Sequence, residues 1–263
     1  MRESTMSGML VGMNMLSTKG IKMVNRLGGL LFPPACIFCH VPMSFGKGCC
    51  TACLENIEVW PHSACRRCGI PLPADMQPGP CGHCLQKPPA QHQTCSLYCY
   101  HGAVRDAILE WKLHGHDTGV RWLVDAAMPR LQNSLNEHSL LLPIPMPLSR
   151  MRKSGQHHTA NLCKWLADGT ECLWDWQLLR RIGEQPRQSA LSGQARRKNL
   201  RKAFALADDY ASRWQDLADR VTTIWIVDDI LTTGSTLHFA ARASLMLGVP
   251  INVLSLARTS LKG

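Results

Sequence analysis

The chain has 263 residues and a mass of 29.2 kDa, with 45% hydrophobic and 18% charged residues. At about 150 residues per domain this is one large domain, or an ordinary domain with a small companion, and the apolar content excludes wholesale disorder. Lys and Arg outnumber Asp and Glu by 29 to 19, a formal charge of +10. That favours an anionic partner (nucleic acid, a phosphorylated small molecule or an anionic membrane surface), while no apolar stretch approaches the ~18 residues of a membrane span.

Residues 1–30 carry methionines at 1, 6, 9, 13, 15 and 23, and polar residues interrupt every apolar run. An export signal needs about 7–15 consecutive apolar residues. The segment therefore reads as a disordered extension, with Met23 as an alternative start and a basic transit peptide as the weaker competitor.

Eleven of the 13 cysteines fall between Cys36 and Cys99. A disulfide framework belongs to small secreted chains with an even cysteine count, so metal binding is the better reading. Four Cys-x-x-Cys knuckles stand in order: Cys36–Cys39, Cys50–Cys53, Cys65–Cys68 and Cys81–Cys84. Two thiolates at this spacing can face one ion, and zinc takes four such ligands tetrahedrally. Eight sulfurs would satisfy two Zn²⁺. Sequential pairing closes loops over 40–49 and 69–80, and interleaved pairing fits the spacing too. Cys49 competes with Cys50, which keeps the two-residue gap. A region this small depends on the metal for much of its folding energy. The zinc-binding domain is expected over 31–94.

From residue 95 the pattern becomes that of an α/β domain running to 263. Strands are predicted over Leu97–His101, Ser139–Ile144, Thr222–Val227 and Ile251–Ala257. Helices are predicted over Ala103–Leu113, Val120–Leu131, residues 157–167 (stopping near Gly169) and Leu237–Leu247. Pro145 and Pro147 forbid continuation of the second strand. Strand–helix–strand order implies a parallel sheet with right-handed crossovers.

The most informative residues are Val227, Asp228, Asp229, Ile230, Leu231, Thr232, Thr233, Gly234, Ser235 and Thr236. Two acids stand at the end of an apolar strand, and a hydroxyl-rich turn with one glycine then opens a helix. Helix N-termini offer free N–H groups to phosphate. The carboxylates instead suit a pair of ribose hydroxyls. Phosphate beside a ribose diol describes a ribose 5-phosphate group.

This run resembles the phosphoribosyl-pyrophosphate (PRPP) signature of type I phosphoribosyltransferases. With the upstream knuckles, the chain is similar to the ComF/GntX family over residues 33–260. The resemblance rests on PPACIFCH, CRRCGIPL, LEWKLHG around Lys112, PIPMPLSRMR at 143–152 and QSALSGQARRKNLRKAF at 188–204. It implies a zinc-binding region before a phosphoribosyltransferase-like fold, a site for PRPP with Mg²⁺, and a link to competence and to use of external DNA. It implies catalytic roles for Asp228 and Asp229, with Pro145, Met146, Pro147 and Lys112 on the pyrophosphate side. It also implies a cytoplasmic protein, peripheral at the inner face of the membrane, with single-stranded DNA and a DNA-import helicase as partners. Where the family has Arg-Gly-Phe-Asn-Gln, this chain has Ser154-Gly155-Gln156-His157-His158, so the histidines receive no catalytic role.

Three functions fit: transfer of a ribose 5-phosphate, a DNA-handling module on the same fold, and a regulator that senses PRPP. Arg196, Arg197, Lys198, Arg201 and Lys202, preceded by Arg180, Arg181 and Arg187, form a basic stretch. It reads as a solvated surface, a flap over PRPP, or a contact with the DNA backbone.

Overall fold

The structure is a computed structural model that describes residues 34–43, 48–73, 76, 79–182 and 202–260. The chain divides into two compact units, Met1–Thr51 and Ala52–Gly263. The expected extension over residues 1–30 lies outside the described residues.

In the first unit Ala35 and Pro42 form an isolated bridge around the Cys36–Cys39 knuckle. A short helix, α1 (Thr51–Glu55), starts inside the second knuckle, carries Cys53 and from Ala52 on belongs to the second unit. In the second unit α2 (Gly82–Gln86) holds Cys84. Five strands then form one parallel sheet: β1 (Gln93–Cys99), β2 (Ser139–Pro143), β3 (Leu173–Trp174), β6 (Thr223–Leu231) and β7 (Ile251–Arg258), in the spatial order β1-β7-β6-β2-β3. Between β3 and β6 the chain forms an antiparallel pair, β4 (Leu179–Arg181) and β5 (Phe204–Leu206). The α/β class and the parallel sheet agree with the sequence reading.

Every residue of β2 and β7 is buried, as their mainly apolar sequences require of strands covered on both faces, with Ser139, Asn252, Ser255 and Arg258 as the buried polar members. The helices α3 (Gly102–His114), α4 (Thr118–Leu131), α5 (Leu148–Ser154), α6 (His158–Thr170), α7 (Tyr210–Gln215) and α8 (Ser235–Ser244) connect them. Helix α6 packs on β2, β3 and β6, and α8 packs on β6 and β7. Leu140, Leu142, Ile224, Ile226, Leu237, Ala240, Ile251 and Val253 pack into one core cluster among the described residues.

Four local readings change. The first strand runs Gln93–Cys99 and not Leu97–His101, because its ladder to β7 begins at Gln93↔Asn252 and His101 instead caps α3. The sixth strand does not stop at Val227 but runs through both acids to Leu231, because the ladder to β7 continues as Asp228↔Ser255, Ile230↔Ala257 and Leu231↔Arg258. Gly169 does not end α6. A Cβ there would lie 2.7 Å from Met128 Sδ, so the glycine lets α6 approach α4, and Glu171 ends the helix in the left-handed region. Helices α5 and α7, the β4–β5 pair and the two-residue β3 carry too little periodicity to be predicted.

Candidate functional site

The cysteines settle into two sets, Cys36–Cys39–Cys50–Cys53 and Cys65–Cys68–Cys81–Cys84, each with four sulfurs within 4.8 Å of one another. Pairing is sequential. The Cys39 and Cys50 sulfurs are 3.7 Å apart, and those of Cys68 and Cys81 are 3.8 Å apart. A tetrahedron with metal–sulfur bonds of ~2.3 Å has edges of about 3.8 Å, so the donor sets fit zinc.

The sulfurs are prepared for a cation. Cys36 Sγ accepts from the N–H of Phe38 (3.5 Å) and Cys50 (3.4 Å), and Cys65 Sγ from Cys68 (3.5 Å) and Cys81 (3.1 Å). Burial alone would raise both thiols, yet these backbone donors outweigh it and hold each at about 6. Cys49 takes no part. Its Sγ–H donates to the Cys50 carbonyl, and burial with the nearby Cys36 sulfur pushes the thiol up to about 11. Cys50 is thus the member of the tetrad.

The second set is tied to the sheet. Trp60 Nε1 donates to Gly69 O (2.9 Å), Thr94 N to Arg66 O (2.8 Å) and Thr94 Oγ1 to Arg67 O (2.6 Å). Arg258, the last residue of β7, is 3% exposed, donates to the Cys68 carbonyl and lies over the Trp60 ring.

A second candidate site opens at the C-terminal ends of β2 and β6. These strands are neighbours, with Pro143 opposite Val227 and Ile144 N donating to Val227 O (2.8 Å). From β2 the chain leaves toward β3, and from β6 it leaves the other way toward β7. Adjacent strands whose connections diverge leave a crevice beyond their carboxyl ends, where open α/β sheets hold ligands.

Asp228 and Asp229 are consecutive near the C-terminal end of β6, and Lys112 acts on both carboxyls. Asp229, nearly buried, pairs with Lys112 from the last turn of α3 (Oδ2–Nζ 2.7 Å). Half-buried Asp228 accepts from the Asp229 N–H (2.9 Å). Its burial and then the Asp229 carboxylate push the Asp228 carboxyl well above the ordinary range, with Lys112 pulling the other way. Beyond the strand, Thr232 and Thr233 are exposed, Gly234 adopts φ 77° as the N-cap of α8, and Thr233 and Ser235 share a hydroxyl contact of 3.1 Å. The turn thus leaves hydroxyls and helix N–H groups at the crevice. Val227 and Leu231 are buried in the core, and Ile230 and Thr236 are half-buried.

On the β2 side, Pro145 is buried while Met146 and Pro147 are half-buried, and Pro147 caps α5. The sequence left His157 and His158 without a role, and the structure gives each a position. His157 Nδ1 caps α6 by accepting from Ala160 N (3.1 Å), and the ring lies against Met146 N (3.4 Å) and Trp176. His158, buried and edge-on to Trp111, lies in the fields of Asp229 and Lys112. Burial pushes both imidazoles below their usual pKa. The signal for them was position alone: they stand where the family has Asn-Gln.

Of the basic stretch, only Lys202 is among the described residues, and it is exposed; Arg196, Arg197, Lys198 and Arg201 lie outside them, as does Arg187. Arg180 pairs with Asp208 (2.9 Å), and Arg181 lies over Phe204. Among the described residues no helix is long and apolar enough to cross a membrane.

Comparison with known proteins agrees with this arrangement. The double zinc ribbon domain model matches residues 27–85. DNA utilization protein YhgH of Escherichia coli O157:H7 is 30% identical over 237 residues, covering 88% of this chain and 99% of that protein. The protein of that name from Salmonella typhimurium is 29% identical over the same coverage. Competence protein F of Haemophilus influenzae is 30% identical over 230 residues, 85% of this chain and 96% of its own. Two tetracysteine ribbons leading into a parallel sheet, in a chain related almost end to end to these proteins, make it a member of the ComF/GntX family.

Proposed function

We propose that the protein handles DNA for uptake or use as a nutrient, through a phosphoribosyltransferase-like site that holds PRPP or another ribose 5-phosphate compound. The observation that carries this reading is the juxtaposition at the β2/β6 crevice. The carboxylates of Asp228 and Asp229, the Lys112 cation and the hydroxyl-rich turn 232–236 stand together there. In this reading the acids accept from the ribose diol, and the turn and the α8 N-terminus bind the 5-phosphate. Lys112 and the backbone of 145–147 face the diphosphate. Mg²⁺ would enter on that diphosphate, and the carboxylate and hydroxyl oxygens present are the hard donors it takes. The relatives' names and the +10 charge support single-stranded DNA as the macromolecular partner, with Lys202 and its basic neighbours as the phosphate contact. We place the protein in the cytoplasm, peripheral to the membrane beside a DNA-import helicase.

Calorimetry with PRPP and Mg²⁺ tests the pocket, and titration with single-stranded DNA at two salt concentrations tests the surface. Asp228→Asn with Asp229→Asn should weaken PRPP binding by orders of magnitude, since each charge-assisted hydrogen bond is worth about 1.5–3 kcal/mol. Zinc content should not change. Burial and the Asp229 carboxylate raise the Asp228 carboxyl to about 8, so below that pH a diol that needs the carboxylate competes with its proton. Affinity should therefore rise from pH 6 to pH 8, and Asp228→Asn alone should flatten that slope. The sign for stability is the opposite: a carboxyl raised by folding costs stability as pH rises through its folded pKa. The same variant should raise the melting temperature of the free protein at pH 8 more than at pH 5. No PRPP binding by the wild type at millimolar ligand would leave the DNA reading alone. Release of pyrophosphate on adding a base would convert the binding site into an enzyme.

A further inference from the structure

A third group of metal-ligating side chains stands apart from both ribbons. Val59 and Tyr98 form an isolated antiparallel bridge, and Cys99 N donates to Glu58 O (2.8 Å). That register sets Glu58 across from Cys99, and residues directly opposite on an antiparallel pair present Cβ atoms about 4.5–5.5 Å apart on one face. Two residues on from Cys99, His101 returns to the same face by the two-residue period of extended chain. His101 is extended (φ −153°) and is the N-cap of α3. Gly102 follows at φ 49°, and a Cβ on it would lie 3.4 Å from Asn56 O, so a glycine here lets the start of α3 close against the Glu58 segment.

The result is a carboxylate, a thiol and an imidazole whose ligand atoms all lie within 4.8 Å of one another. Glu58 Oε2 and His101 Nε2 are 2.6 Å apart. The Cys99 sulfur belongs to a buried residue, while Glu58 and His101 are exposed. The stability worth of an exposed ion pair is only about 0–1 kcal/mol, so the pair alone gives little reason for this arrangement around a thiol. As a donor set it is informative. Sulfur, imidazole nitrogen and carboxylate oxygen are the three ligand types of protein zinc sites, and three protein ligands leave the fourth position to water. The ribbons, with four sulfurs each, have no such opening.

We propose that Glu58, Cys99 and His101 form a third zinc site, open to solvent and exchangeable, in contrast to the closed ribbon sites. On binding, Zn²⁺ displaces the Cys99 thiol proton to solvent and separates the Glu58 and His101 ligand atoms to the edge length of a coordination tetrahedron. Both side chains are exposed and free to make that adjustment.

The test uses full-length protein and Zn²⁺ itself. After dialysis against a mild chelator the wild type should take up one more equivalent of Zn²⁺ than His101→Ala or Cys99→Ser, measured by elemental analysis and by competition with a chromophoric chelator. Glu58→Gln should weaken that equivalent at least tenfold. With Co²⁺, the added equivalent should bring a thiolate-to-metal band in the near ultraviolet that Cys99→Ser removes. His101 is exposed, so His101→Ala keeps the comparison valid if Cys99→Ser misfolds. Equal uptake by the wild type and His101→Ala, or a thiolate band that survives in folded Cys99→Ser, would overturn the proposal.

Discussion

His40 and Gly69 occupy the same turn of the two cysteine ribbons. Both follow the second cysteine of a knuckle, and both adopt the left-handed region, at φ 58° and 72°. Around them the ribbons share a register: Ala35-Cys36 corresponds to Ala64-Cys65 and Val41-Pro42 to Ile70-Pro71, each closed by the same bridge, while Ile37-Phe38 stands where the second has Arg66-Arg67. In each, the N–H of the residue after the first cysteine donates to a glycine carbonyl, Gly48 or Gly79. What differs is the surroundings. His40 is exposed, and a side chain in this conformation costs about 1–2 kcal/mol. At Gly69 a Cβ would lie 2.6 Å from Arg258 Nη1 and 2.8 Å from Thr94 Cγ2. Metal chemistry fixes the knuckle, and tertiary packing decides which residue may stand in its turn. The second ribbon is tied to the sheet through Trp60, Thr94 and Arg258.

That contrast can be broken at several points. The largest effect should come from removing a ligand of the second ribbon. Structural zinc contributes on the order of 10 kcal/mol in ribbon-sized modules, so Cys65→Ser should lose one zinc and abolish the cooperative unfolding of the sheet unit. Cys36→Ser should also lose one zinc but lower the melting temperature less, since the backbone bonds around Cys36 run within residues 34–50. Elemental analysis with circular dichroism melting distinguishes them, and equal melting losses would erase the contrast.

Gly69→Ala should come next, at about 2–4 kcal/mol, from the left-handed backbone and the overpacked contact with Arg258. Arg258→Met should cost about 2 kcal/mol by removing the bond to Cys68 O and the contact with Trp60, less whatever desolvating the cation costs. Both should lower the denaturant midpoint and quicken loss of zinc from the second site to a chelator, leaving the first unchanged. Trp60→Phe, which deletes the bond to Gly69 O and shrinks the buried ring beneath Arg258, should cost about 1–2 kcal/mol. His40→Gly is the smallest change and has the opposite sign. It relieves strain and should slow metal release from the first site slightly, and a faster release would show that the imidazole supports the turn.

Much of the molecule was legible in the chain. Four knuckles at regular spacing specify tetrathiolate sites because a short turn leaves two sulfurs little freedom but to converge. Buried parallel strands advertise themselves as apolar runs, which is why β2 and β7 were found nearly to the residue. The turn before α8 was legible because a glycine free to take the left-handed region stands directly before the helix start, and Gly234 is its N-cap at φ 77°.

Tertiary structure decided the rest. Whether the knuckles pair in sequence or across one another depends on how the loops close, and spacing allows both. That β6 continues through Asp228 and Asp229 depends on β7 lying beside it to accept the ladder. That Lys112 meets Asp229, that His157 lies against Met146, and that Glu58 faces Cys99 and His101 depends on contacts between residues 11 to 117 positions apart. Local sequence encodes the conformations a segment can adopt and the chemistry it can offer. Which groups face one another is set by the packing of elements that are distant along the chain, and no short window of residues contains that information.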